Sequence, residues 1–409
     1  MGSVKNESQP QRAHSQHPTL GSLAVAVVAV AALAAVAPQA HAGPREQAKR
    51  MYDRLTGTPP SPTLLDELES RVGGGSQNQL FDTAMYIVDP QQPHSSPFYS
   101  VVLKNFATPW TNRDQDVFAP LNDYTATVIG MVRDDVDFRG LLSDDILYVG
   151  SGVTPAYSTT SNAHYEALES SNADLRVVLQ PTAQSSLNGL PSNAVAGVMT
   201  SRAAAEAFFI DGTNRAMFRF TMLNHLCRDL EQVHDTSYPP DRIRQDVTRS
   251  PGGDSSVFNN NCVGCHNGMD PLAQAFAYYD FDEMQQRLVY TPGQVQPKYL
   301  QNSDNFKPGF VTPDDSWENR WRLGGPNLLL GWSPSLPGRG AGAKTMGQEL
   351  ASSDAFAQCQ VEKVFRAVCL RSPSNAADRS LAADVVGGFQ TDGNLKRVFA
   401  ATAAYCAGD

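Results

Sequence analysis

Five consecutive residues constrain this chain more than any other feature of its sequence. Residues 262–266 read Cys-Val-Gly-Cys-His, with two thiols three positions apart and a histidine directly after the second. This C-x-x-C-H spacing is typical of the covalent attachment of a c-type haem. Cys262 and Cys265 can each add to one haem vinyl group, and His266 can then bind the iron as its proximal ligand. The pattern therefore predicts haem c, with its iron, as the cofactor.

A C-x-x-C pair can also form a disulfide or supply half of a zinc site. A tetrahedral zinc site needs further ligands at suitable spacing, and the sequence has no second cysteine pair of that kind. Glycine at position 264 suits a tight turn between the two thiols. The five-residue pattern favours haem attachment over both alternatives.

The N-terminus predicts export. Residues 1–42 have a weakly basic start with Lys5 and Arg12, an apolar run from about 20 to 36, and Ala-His-Ala at 40–42 as a cleavage site. The other interpretation is a membrane-anchoring helix, for which the run is short. We expect a signal peptide and a periplasmic or otherwise exported protein. Contact with the membrane is expected only through this segment, if it is not cleaved.

Four further cysteines need a role in an oxidising compartment. Cys227, Cys359, Cys369 and Cys406 are even in number and are compatible with two disulfides in any of three connectivities. We favour Cys369 with Cys406. The alternative is that some of the four are buried reduced thiols.

The apolar spacing predicts a mainly α, loop-rich, multi-helix protein with a C-terminal cytochrome c-like haem domain. Its expected regions are the signal peptide at 1–42, an α-rich N-terminal region at 43–150, a helical region at 151–250, and a haem-binding domain at 251–409. The predicted helices cover 44–55, 62–72, 97–105, 120–132, 163–169, 203–209, 214–232 and 241–248, with another that begins at Asp270 as cap and Pro271 as first residue.

The second iron ligand is less constrained. Met346 is the first choice, because it follows the glycine-rich stretch 338–342, which predicts a flexible loop able to approach a cofactor. His225 and His234 are alternatives, and an open iron position is a third. Met269 is excluded because it is only three residues past His266 and cannot reach the opposite haem face.

Other side chains are candidates for contact with the haem. Phe276 and Tyr279 follow the motif on an apolar face that suits either the haem plane or ordinary core packing. Guanidinium and indole N–H groups can donate to haem propionates. The candidates of that kind are Arg215, Arg219, Arg339, Trp321 and Trp332.

Residues 262–282 resemble the haem segment of planctomycete-type cytochrome c domain proteins. The shared pattern is C-x-x-C-H followed by Met-Asp-Pro at 269–271 and an aromatic-Asp ending at 279–280 or 281–282. Residues 196–200 with 213–215, and 352–359, are similar to flanking segments of that family. Leu272 stands where the family has glycine. The resemblance implies a monohaem c-type protein and names no substrate.

Charge and motif content narrow the function. The net charge is −10, and no basic stripe with interleaved aromatic residues is present, so nucleic-acid binding is not expected. One-electron transfer with an unidentified redox partner protein is the leading hypothesis. A haem enzyme of the peroxidase or oxygenase type, or a sensor with an open iron site, is the alternative. A structural or interaction protein that carries haem is a third, so whether the chain is an enzyme stays open.

Overall fold

Helices account for most of the fold in a computed structural model, which describes residues 42–210, 212–238, 255–299 and 310–408. The predicted signal segment, apart from Ala42, and the predicted helix at 241–248 lie outside these ranges. None of the described helices is both long enough and apolar enough to cross a membrane. The α-helices are α1 Pro44–Thr56, α2 Pro62–Val72, α3 Gln77–Ile87, α4 Leu103–Ala107, α5 Asp123–Arg133, α6 Ala163–Ser170, α7 Leu175–Val178, α8 Gln184–Asn188, α9 Arg202–Phe208, α10 Arg215–Thr221, α11 Ser255–Asn261, α12 Val263–Ala273, α13 Gly324–Leu330, α14 Gly342–Ala351, α15 Asp354–Cys369, α16 Ala376–Asp392 and α17 Leu395–Cys406.

Strands are short and occur in three antiparallel pairs in the described part of the chain. The strands are β1 Leu147–Gly150 with β2 Leu179–Thr182, β3 Tyr279–Asp282 with β4 Arg287–Tyr290, and β5 Ser316–Glu318 with β6 Arg339–Ala341. Each pair has only three or four residues per strand. The prediction of a mainly α, loop-rich, multi-helix protein is confirmed.

Local sequence signals place the N-terminal helices. Ser61 caps α2, its side chain accepting a hydrogen bond from the backbone N–H of Leu64, and Pro62 occupies the first helical position. Gly73, at φ 53°, caps the end of the same helix. These boundaries are the predicted ones, because capping depends on neighbouring residues alone.

The first and last helices of the described chain lie together. Arg54 of α1 donates to the carbonyl of Cys406 at 2.7 Å, and Arg50 donates to the carbonyl of Ala407 at 3.0 Å. The described residues from Ala42 onward form one compact unit. The predicted region boundaries at 150 and 250 fall inside this unit, and the division into regions stays a prediction.

The prediction of a single helix at 214–232 is wrong. Helix α10 ends at Thr221 and is followed by a wider π-helical turn, Met222–Leu226. Cys227 then has a left-handed backbone, with φ 52°, which ends the helical path. A short 3₁₀ turn, Leu230–Val233, follows. The apolar spacing continues through this break because both sides of it face the core.

Two disulfides tie the later helices together. Cys369, at the end of α15, pairs with Cys406, at the end of α17, as predicted. Cys227 pairs with Cys359 of α15 across 132 residues. Of the three possible connectivities, the protein therefore has the one that contains the favoured pair.

Candidate haem site

The motif cysteines lie at the start of helix α12. Cys262 is its N-cap residue, and the helix continues through the whole motif to Ala273. The prediction that Asp270 caps a new helix at Pro271 is wrong, since both residues lie inside α12. The local cap signal fails because the Asp270 carboxylate is bound to Arg215 of α10 and to His266 of the same helix. Pro271 removes only one backbone donor, near the end of the helix.

The periodicity of α12 separates two faces. At about 100° per residue, Cys262, His266 and Asp270 follow one another at four-residue steps on one side of the helix. Gly264 lies about 200° from His266 and shares the other side with Gly268. Cys262, His266 and Asp270 therefore face nearly away from the two glycines, while Cys265 lies between the two faces, about 100° from His266.

The two glycines let ring side chains from other segments pack closely against α12. A Cβ atom at Gly264 would lie 2.0 Å from Nε2 of His234, and one at Gly268 would lie 1.9 Å from Nε1 of Trp321. The residue after His234 reinforces the contact with Gly264, since the backbone N–H of Asp235 donates to the carbonyl of Gly264 at 3.1 Å. Gly264 thus serves close packing of ring against helix, a different reason from the tight turn that the sequence predicts.

Both motif cysteines remain outside any disulfide. Cys262 and Cys265 are partly exposed and unpaired, whereas the other four cysteines are all bonded. Sγ of Cys265 lies 3.5 Å from the carbonyl oxygen of Leu230. Burial, reinforced by the negative charges of Glu231 and Asp229, raises the pKa of the Cys265 thiol.

His266 is held by a buried carboxylate. Its Nδ1 lies 3.2 Å and 3.1 Å from the two carboxylate oxygens of Asp270, whose side chain is only 1% exposed. Arg215 of α10 binds the same carboxylate with both arms, Nε at 2.7 Å and Nη2 at 2.9 Å. A histidine that donates its Nδ1 proton to a carboxylate presents Nε2 as its basic nitrogen, which is the usual arrangement of a metal-binding histidine.

The charge state of Asp270 follows from its partners. Burial by itself would raise the pKa of this carboxyl, but the positive charge of Arg215 and the contact with His266 outweigh burial and lower the pKa. Asp270 is therefore ionised and acts only as a hydrogen-bond acceptor.

The structure also fixes where the predicted distal ligands lie. The expectation of a flexible loop leading to Met346 is wrong, because residues 339–341 form β6. Met346 itself lies inside α14 and has no exposed surface. His225 is buried, with Nε2 bonded to the hydroxyl of Tyr124 at 2.5 Å. His234 is on the glycine face of α12, away from His266. The choice among Met346, a histidine and an open position stays a prediction.

All but one of the remaining haem-contact candidates are shown bonded to, or packed against, other residues of the protein. Phe276 and Tyr279 are fully buried and pack against Phe209, with ring centroids 5.4 Å and 5.7 Å away. These contacts account for both rings as core residues. Among the five side chains suggested as propionate partners, Arg215 binds Asp270 and Arg219 binds Asp229. The indole N–H of Trp332 donates to the carbonyl of Trp321, and the Trp321 ring itself lies buried against Gly268. Arg339 lies exposed in β6.

The described residues contain no group of three or more His, Cys, Asp or Glu side chains arranged to hold a metal ion. The sequence interpretation missed the pairing of Asp270 with His266 and Arg215. The sequence signal for the His266–Asp270 pair was their four-residue spacing, which places the two side chains next to each other on a helix. Comparison with protein-family models, curated proteins and solved structures gave no significant match.

Proposed function

We propose that the protein carries one covalently attached c-type haem on Cys262, Cys265 and His266 and transfers single electrons to and from an unidentified redox partner protein. The observation that carries the proposal is the contrast among the six cysteines. Four are paired in disulfides, while the two of the C-x-x-C-H motif are left unpaired on one turn of helix α12. When bound, the haem would supply a reversible one-electron iron couple.

The residues of this helix fit that cofactor. Each thiol would add across one vinyl double bond, forming a carbon–sulfur bond while the thiol hydrogen goes to the other vinyl carbon, so no oxidant or reductant is needed. His266 lies one residue beyond the second thiol, with Nδ1 held by Asp270. Nε2 is then the ring nitrogen that would bind an iron.

Export is part of the same proposal. Disulfides form and persist in oxidising compartments, and the chain has two of them. Attachment of haem and formation of disulfides would both take place after the predicted signal segment has directed the chain across the membrane.

Replacement of the motif cysteines tests the attachment. The full chain is expressed with its leader in a host that matures c-type cytochromes, and haem is detected after denaturing electrophoresis. We expect staining of the native protein and none for Cys262→Ala/Cys265→Ala. The Cys369→Ala/Cys406→Ala protein is the matched control, which removes two cysteines and should keep the stain. Staining that survives loss of both motif cysteines contradicts the proposal.

A haem enzyme of the peroxidase or oxygenase type, or a sensor, is a second candidate function. It is favoured by the position of Met346, which is fully buried within α14 rather than on a mobile loop. An iron without a second protein ligand would bind small molecules, whereas histidine and methionine ligation would favour electron transfer. Addition of carbon monoxide to the reduced protein separates the two: a shifted absorption spectrum supports the second candidate, and an unchanged one supports electron transfer.

A further inference from the structure

The carboxylate of Asp270 goes beyond what haem attachment requires. Two thiols and one imidazole suffice to attach the haem and bind its iron. The buried Asp270 carboxylate is nevertheless hydrogen-bonded to Nδ1 of His266 and forms an ion pair with Arg215. The exposed fraction of the Asp270 side chain is 1%. Placing a charge there costs solvation free energy, so the arrangement calls for an explanation beyond stability.

We propose that Asp270 is a positioning residue that lowers the reduction potential of an iron bound to His266, and that the two-armed bond from Arg215 holds the carboxylate in place while limiting the size of that effect. This inference rests on the proposed haem attachment and adds the property that the protein would give to the iron.

The physical reason lies in the acceptor for the Nδ1 proton. A hydrogen bond to an anionic carboxylate makes an imidazole ring more basic than one to a neutral carbonyl does. A more basic histidine ligand would stabilise Fe(III) relative to Fe(II), because it would donate more electron density to the iron. Burial of the carboxylate strengthens the effect, since the bond is less screened by water.

Arg215 keeps the carboxylate in place and charged. Its guanidinium binds both carboxylate oxygens, a geometry that a lysine cannot reproduce. The start of α10 is fixed in turn by Asn214, whose side-chain amide donates to the carbonyls of Phe276 and Tyr279 at 3.0 Å and 2.8 Å. Helix α10 is thereby anchored to the chain that follows α12, and Arg215 cannot easily withdraw from Asp270.

The test is the midpoint potential of the haem-loaded Asp270→Asn protein. Asparagine keeps the shape of the side chain but removes its charge. We expect the ratio of reduced to oxidised iron at a fixed potential to rise at least tenfold, which corresponds to an increase of about 59 mV for a one-electron couple. Asp378→Asn is the matched control, since it removes another fully buried aspartate bound to an arginine, Arg371, and should leave the potential unchanged.

Arg215→Lys keeps the inference testable if Asp270→Asn does not retain haem. Lysine keeps the positive charge but gives up the two-armed bond, so the carboxylate becomes a better acceptor for His266. We expect the potential to fall, in the direction opposite to the Asp270→Asn change. A purely structural role for the pair would not produce shifts of opposite sign.

The outcomes separate the two proposals. Covalent haem with an unchanged potential in whichever of the two variants retain it overturns the role of Asp270 and Arg215 and leaves the attachment intact. A native protein without covalent haem overturns the proposed function and this inference together.

Discussion

The six cysteines of this protein lie in two kinds of surroundings. Cys227, Cys359, Cys369 and Cys406 are brought together in pairs by the packing of helices that are distant in sequence. Cys262 and Cys265 are neighbours on one helical turn and stay unpaired on α12, the helix that also carries Asp270 in its ion pair with Arg215. The contrast teaches that nearness in sequence does not make a disulfide, whereas tertiary packing does.

The disulfides should give the largest effects on stability. In the chain-entropy model, loss of Cys227–Cys359, whose cysteines are 132 positions apart, costs about 5 kcal/mol, and loss of Cys369–Cys406, whose cysteines are 37 positions apart, costs about 4 kcal/mol. Denaturant unfolding of the two double Cys→Ala proteins measures both values. A smaller loss for the longer link would show that the two disulfides do not act mainly on the unfolded chain.

Gly268→Ala should cost about 1–3 kcal/mol of unfolding free energy, because a methyl group would overlap the ring of Trp321. Trp321 has no exposed surface and cannot easily move aside. Thermal or urea unfolding checks the value, with the exposed Gly387, where a Cβ meets nothing, as the site of the control substitution. Equal stability of the two alanine variants would mean that the close approach of Trp321 is not rigid.

His225, two residues before a disulfide cysteine, should make stability depend on pH. Burial, assisted by the charge of Lys363, lowers the pKa of His225 well below its ordinary value. The unfolded chain binds a proton near pH 6.5, while the folded protein does so only at lower pH. Unfolding free energy should therefore fall below about pH 6.5, by up to about 1.4 kcal/mol per pH unit.

Urea unfolding between pH 7 and 5 measures this slope for the native protein and for His225→Phe. Phenylalanine keeps contact with Trp110 and Phe356, whose ring centroids lie 5.4 Å and 6.3 Å from the histidine ring. It cannot titrate, so the slope should be smaller. Identical slopes in the two proteins would assign the pH dependence to other groups.

Gly264→Ala should give the smallest effect, below about 1 kcal/mol, although the added Cβ would also overlap a ring. His234 is exposed and can rotate away, unlike Trp321. The double variant Gly264→Ala/His234→Ala should recover whatever stability the single change loses. Failure of that rescue would place the strain in the backbone of α12.

Much of the local structure could be predicted from the sequence, and the errors have a common cause. The cap at Ser61 and the mainly helical class depend on residues close together in the chain. The predicted start at Asp270 failed because a residue with strong capping preference was recruited by Arg215, which is 55 positions away. The helix across Cys227 failed because its hydrophobic spacing cannot reveal a left-handed residue tied to a distant cysteine.

The sequence by itself determined the helical class, the five-residue motif and the number of cysteines available for pairing. Tertiary structure alone decided that Cys227 meets Cys359, that Met346 is buried in a helix, and that His266 is held through Asp270 by Arg215. The physical reason is range. Capping, helical periodicity and motif spacing act within a few residues, whereas disulfides and buried ion pairs join groups that come together only when the chain has packed.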